Sequence, residues 1–188
     1  MVNVPNVLSM CRILLAPLLV VILLTKFEGK EVVGLAVFLI AAFTDFLDGY
    51  LARRHQQITR LGKLLDPAAD KILTSAAFIS LVEVSPLVTP AWIVATIIAR
   101  EFAVASLRSF AAVEGVVIAA GPLGKIKTVM QVIAISLLIF HQRLGDLQIV
   151  ATIALWAALV ISVYSGFEYF FRFRRLVLQD TPPSGHSA

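Results

Sequence analysis

Four aspartates are the residues of this sequence best spaced for chemistry: Asp45 with Asp48, and Asp66 with Asp70. The first two are three residues apart and the second two four apart, so on a helix each pair lies on one face within about one turn. Each pair is a two-pronged oxygen clamp. The first follows the apolar run Ala41-Ala42-Phe43-Thr44, and an aspartate at the centre of a membrane helix costs about 2.5–3.5 kcal/mol on insertion scales. Four together also repel one another, so something positive must offset them. Carboxylates without His or Cys select Mg²⁺, Mn²⁺ or Ca²⁺ rather than zinc, and two ions match the number of charges. Gly49, Ala52 and Gly62 remove bulk beside the carboxylates and would let a flat ligand such as a nucleotide approach. The competing reading is tight helix packing at Gly49 and Ala52, with the aspartates paired to Arg53, Arg54 and Lys71 as an interfacial charge cluster. It accounts for any single residue better than for the whole constellation.

The elements that must position these residues belong in a bilayer. Of 188 residues, 59% are hydrophobic and the mean hydropathy is +0.91, against roughly 45–50% apolar in an ordinary soluble domain. Apolar stretches approach the ~20 residues needed to cross hydrocarbon. The sequence predicts an all-α integral membrane protein with six transmembrane helices, at about 7–25, 32–52, 66–83, 90–112, 122–141 and 147–171. Residues 1–175 form one domain in this reading, and 176–188 a polar, disordered tail. Thr89 before Pro90, and Gly121 before Pro122, read as helix starts with proline at the first position. The first stretch carries Arg12 and lacks a small-residue cleavage site, so it is expected to be a retained helix. The short link between the second and third helices makes them antiparallel neighbours and would bring the two clamps together. All but Lys26, Lys30 and Arg143 of the sixteen lysines and arginines fall on the side of the termini and the aspartates, which makes that side cytoplasmic.

A second set of residues suits an anion. Arg100 and Arg108 are eight residues apart, about 80° around one helix and roughly 12 Å along it, and so share a broad face. Lys125 and Lys127 stand in the first turn of the fifth helix, where the macrodipole disfavours cations. Positive side chains beside free backbone N–H groups make an anion site suited to a phosphate. The competing reading for the lysines is topology and lipid headgroups, and for Arg100 it is neutralising a motif aspartate or the neighbourhood of Glu101.

The stretch from Asp45 to Asp70 resembles the signature of the CDP-alcohol phosphatidyltransferases: D-x-x-D-G-x-x-A-R, eight residues, then G-x-x-x-D-x-x-x-D, with every fixed position matched. The resemblance implies a six-helix fold, a homodimer, Mg²⁺ or Mn²⁺ (two ions) held by Asp45, Asp48, Asp66 and Asp70, and CDP-diacylglycerol as donor. It implies that Asp48, Gly49, Ala52, Arg53, Gly62 and Asp66 line the CDP-lipid site, and that Asp70 is the base that takes the acceptor's proton. Ile98-Ala-Arg100-Glu101 through Arg108, Gly124-Lys125-Ile-Lys127-Thr128, and the opening Pro5-Asn6-Val-Leu-Ser9 with Arg12 look like the branch whose acceptor is glycerol 3-phosphate. Arg100, Arg108, Lys125 and Lys127 would then hold the acceptor phosphate, in a bacterial inner membrane. A sister activity with inositol phosphate or another alcohol is the alternative.

Other classes fit less well. A cation transporter expects acidic residues spread through the membrane or broken helices in repeated halves, whereas the four motif acids cluster on one side and no repeat is visible. A structural protein with a charge cluster would need neither metal nor CDP. The net charge of +4 sits at membrane-flanking positions, which points to lipid and phosphate partners and not to nucleic acid. Cys11 is the single cysteine, so no internal disulfide forms. His55, His141 and His186 lack the grouping a metal or triad site requires, and Trp92 and Trp156 read as lipid or packing residues.

Overall fold

The structure is a computed structural model that describes residues 4–55, 60–113, 121–143, 145 and 148–179, with the side chains of 4–6, 45–67, 122, 142 and 176–179 outside the description. Six helices follow in order: α1 (Val4–Leu24), α2 (Lys30–His55), α3 (Arg60–Val84), α4 (Ala91–Val113), α5 (Pro122–Phe140) and α6 (Gln148–Gln179), with a 3₁₀ turn at His141–Arg143. No strand occurs among the described residues. Among the described residues, three helices contain a stretch long and apolar enough to cross a membrane by length and composition: Val7–Leu24, Leu123–Phe140 and Gln148–Arg175. The other three are 26, 25 and 23 residues long, which at 1.5 Å per residue is about 35–39 Å. They have the length to cross.

α1 shows how the bundle closes. Its buried residues Ser9, Arg12, Ala16, Leu19 and Leu23 recur every three or four positions and form one stripe, turned toward α3 and α2. Its last three residues are apolar and its first two, Ser9 and Arg12, are polar, at the end where α1 begins. Small residues let neighbouring helices approach, as packing in lipid requires. A Cβ on Gly34 of α2 would come within 2.8 Å of Leu23 Cδ2, and Ala134, Ala154 and Ala158 form the contact of α5 with α6. Large apolar side chains such as Leu14, Ile40, Phe43, Ile79, Trp92, Val129, Ile153, Val160 and Phe167 cover the outside.

α4 and α6 run parallel. Trp92 meets Trp156 edge-to-face at 5.6 Å, Arg100 meets Ser165, and Phe110 meets Phe173 at 6.0 Å. That register is what two helices separated by one intervening crossing must have. At the end of the bundle away from the aspartates the connections are tied together. Arg143 Nε donates to Glu31 Oε2 at 3.2 Å, the Lys30 ammonium reaches the Leu23 carbonyl, and His141 lies between Ser85 Oγ and the Leu138 carbonyl. His141, which lacks the grouping of a metal or triad site, is thus a buried connector between the α3–α4 loop and the end of α5.

Helix boundaries follow the expectation with instructive differences. α3 begins at Arg60, six residues before its apolar run, because the polar signature segment is itself helical. α6 continues to Gln179, through residues 176–179 of the expected tail, while 180–188 lie outside the described residues. Gly121 is extended (φ −71°, ψ 165°) with proline at the start of α5, as expected. Thr89 does not cap α4 through its side chain. Its buried hydroxyl makes no hydrogen bond among the described residues, and the helix opens at Ala91 with the Pro90 carbonyl accepting from Ile93 and Val94.

Candidate active site

The backbone puts the two aspartate pairs at matched depth. Asp45 and Asp48 stand ten and seven residues before the end of α2, and Asp66 and Asp70 six and ten after the start of α3. α2 and α3 touch, and only residues 56–59 separate their ends. Each aspartate therefore lies about 9–15 Å inside its helix end, at a level where neighbouring helices can wall off a cavity. The side chains of Asp45, Asp48 and Asp66, and of Gly49, Ala52, Arg53 and Gly62, belong to the segment outside the described side chains. Among the described residues no three metal-binding groups gather. The donor set itself, four carboxylates with no His or Cys between Asp45 and Asp70 except His55 at the end of α2, suits a hard divalent cation.

α4, α5 and α6 build a polar cluster. The Lys127 ammonium, on a residue 8% exposed, donates to both Glu101 oxygens at 2.6 Å. Arg100 Nη1 donates to Glu101 Oε1 at 2.9 Å, and Gln131 Nε2 to the same oxygen at 3.3 Å. Arg100 Nη2 donates to Ser165 Oγ at 2.8 Å. The carboxylate of Asp70 also acts electrostatically on Lys127, which ties the cluster to the last aspartate of the signature. Two cations thus meet one carboxylate inside the bundle.

The structure separates the four residues expected to hold the acceptor phosphate. Arg100 and Lys127 come together at Glu101. Arg108, two turns along α4, is exposed and lies with its guanidinium carbon 5.6 Å from the centre of the Tyr169 ring. Lys125 is exposed and outside the cluster. Two residues on a helix are about 200° apart, so Lys125 and Lys127 cannot face the same way. Sequence reasoning missed Glu101 as a hub, together with Gln131 and Ser165. A signal existed for Gln131, which stands four residues after Lys127 and so on the same helix face, in otherwise apolar sequence.

Gly166 explains how Arg100 reaches its place. A Cβ there would lie 3.0 Å from Arg100 Cγ and 3.1 Å from its Nε, so the arginine stem passes directly over the α6 backbone. Gly166→Ala is expected to push the guanidinium off Ser165 and raise the KM for the acceptor about three- to tenfold, a loss of roughly 1 kcal/mol typical of one displaced hydrogen bond. Steady-state kinetics with varied acceptor check this, and an unchanged KM would show that Arg100 does not serve the acceptor from this position.

The matched aspartate pairs and the basic cluster agree with what the chain resembles. The family model for CDP-alcohol phosphatidyltransferase matches residues 2–164. A Bacillus subtilis protein named CDP-diacylglycerol–glycerol-3-phosphate 3-phosphatidyltransferase is 45% identical over 184 residues, covering 90% of this chain and 94% of that protein. Proteins of the same name from Rickettsia bellii and Salmonella typhimurium are each 34% identical, over 171 and 169 residues, covering 89% of this chain and 93% and 92% of their own. With the signature on α2 and α3 and the match running through five helices and into the sixth, the chain is a member of the CDP-alcohol phosphatidyltransferase family.

Proposed function

We propose that this chain transfers the phosphatidyl group of CDP-diacylglycerol to sn-glycerol 3-phosphate, giving phosphatidylglycerophosphate and CMP. The observation that carries the reading is a complete aspartate signature, from Asp45 to Asp70, in a chain that also buries Lys127 and Arg100 together at Glu101. It is supported by the names of relatives that match nearly the full chain. Asp45, Asp48, Asp66 and Asp70 would hold Mg²⁺ or Mn²⁺, which when bound supplies neutralisation of the pyrophosphate and of the charge developing on CMP. Asp48, Gly49, Ala52, Arg53, Gly62 and Asp66 would line the CDP-lipid site. Arg100 and Lys127 would receive the acceptor phosphate, with Arg108 and Lys125 at its outer rim. The acceptor's sn-1 oxygen bonds to the β-phosphorus as the bond to CMP breaks, and its proton passes to an Asp70 carboxylate oxygen. Direct transfer is favoured because metal-ligating carboxylates are poor nucleophiles.

All six helices would cross the membrane, with the aspartates and both termini cytoplasmic in a bacterial inner membrane, as the distribution of lysine and arginine favours. Residues 1–175 would form the catalytic domain, acting as a homodimer. The test is CMP release by protein purified in detergent, supplied with CDP-diacylglycerol and, in turn, glycerol 3-phosphate, inositol phosphate, inositol or serine. Glycerol 3-phosphate is expected to give the highest rate. EDTA is expected to reduce it by about 100-fold or more, with recovery on adding Mg²⁺ or Mn²⁺, since the ions supply several kcal/mol of charge stabilisation. Preference for inositol phosphate would replace the acceptor and keep the family. Release unaffected by EDTA would remove the metal.

A further inference from the structure

Glu101 is the centre of the polar cluster, yet it belongs to neither the signature nor the cationic set. Its carboxylate takes two bonds from Lys127, one from Arg100 and one from Gln131. It therefore joins α4 to α5, and through Arg100 and Ser165 to α6. Among the described residues two cations converge on this one carboxylate, and an anion that joined them would meet two fixed positive groups. Donors remain for that anion. Lys127 has three N–H groups and gives two to Glu101, while Arg100 has five and gives one to Glu101 and one to Ser165. The Arg100 Nε is buried and makes no hydrogen bond among the described residues.

We propose that Glu101 is a positioning residue for the acceptor: it gathers the Lys127 ammonium and the Arg100 guanidinium at one point and fixes where an anionic phosphate is received. This rests on the reading of the chain as a transferase with a phosphate-bearing acceptor. Glu101 does not touch the reacting atoms. It orders two long side chains in advance, so that the phosphate does not bear the entropic cost of ordering them.

The test uses the full chain in detergent with CDP-diacylglycerol, Mg²⁺ and varied glycerol 3-phosphate. Glu101→Gln is expected to raise the KM for glycerol 3-phosphate about tenfold or more, while the KM for CDP-diacylglycerol moves little. Glu101→Asp should recover part of the loss. The double variant Glu101→Gln with Lys127→Gln decides between positioning and charge balance, and keeps the test open if the single variant is unstable. As a positioning residue Glu101 acts through Lys127, so the double variant should regain thermal stability and keep the raised KM, no worse than Lys127→Gln alone. A double variant with wild-type KM, or Glu101→Gln that lowers stability at unchanged KM, overturns the inference and leaves the transferase reading intact. A wild-type chain that releases CMP with no phosphate-bearing acceptor overturns both.

Discussion

Asp70→Asn is expected to lower turnover by about 10³-fold or more, at the upper end of what a positioned base contributes, while CDP binding persists. The carboxamide keeps the shape of the side chain but cannot take a proton and is a poorer ligand for a hard cation. Asp70 stands last in the signature, and its carboxylate acts electrostatically on Lys127, one of the two cations placed at the proposed acceptor phosphate. Asp45→Asn, Asp48→Asn and Asp66→Asn are accordingly expected to weaken metal and CDP-lipid binding, and Asp70→Asn to act on turnover at saturating concentrations of both substrates. CMP release measured beside CDP binding separates the two. Near-normal turnover in an Asp70→Asn protein that still binds metal and donor would take the base away from Asp70.

The second large effect is expected at Arg12. Its side chain is 1% exposed and is among the largest fully buried side chains of the protein. A guanidinium in a helix bundle has to be met by anions, and removing one partner of a buried pair strands the other at a cost of about 3–5 kcal/mol. Arg12→Leu should therefore lower the unfolding midpoint in detergent by on the order of 10 °C and abolish activity with it. Arg12→Lys, which keeps the charge but not the planar fork, should fall between. An Arg12→Leu protein as stable and active as wild type would mean that no buried anion depends on Arg12.

The sequence makes the helices and the signature legible for a common reason: each is local. Apolar length marks a crossing, three- and four-residue spacings mark a shared face, and Gly121-Pro122 marks a start. What stayed hidden depends on contacts across the chain. Glu101 is adjacent to Arg100 in sequence, and nothing local says that Lys127, 26 residues on, turns back to it. Lys125 and Lys127 look equivalent as letters in one helical turn, yet the helical angle buries one and exposes the other. His141 has no grouping in sequence because its partner, Ser85, is 56 residues away. Thr89-Pro90 has the composition of a cap, but burial without a hydrogen bond cannot be read from composition.

The ties among Glu31, Arg143, Ser85 and His141 bear on how a lipid with two acyl chains could reach carboxylates set inside a bundle. Helices pinned together at one end act as levers. A rotation about the pinned end would move the other end most, and a donor whose tails stay in the bilayer would then reach the carboxylates from the side while the fold stays clasped behind it, much as a clothes peg opens at its jaws and holds at its spring.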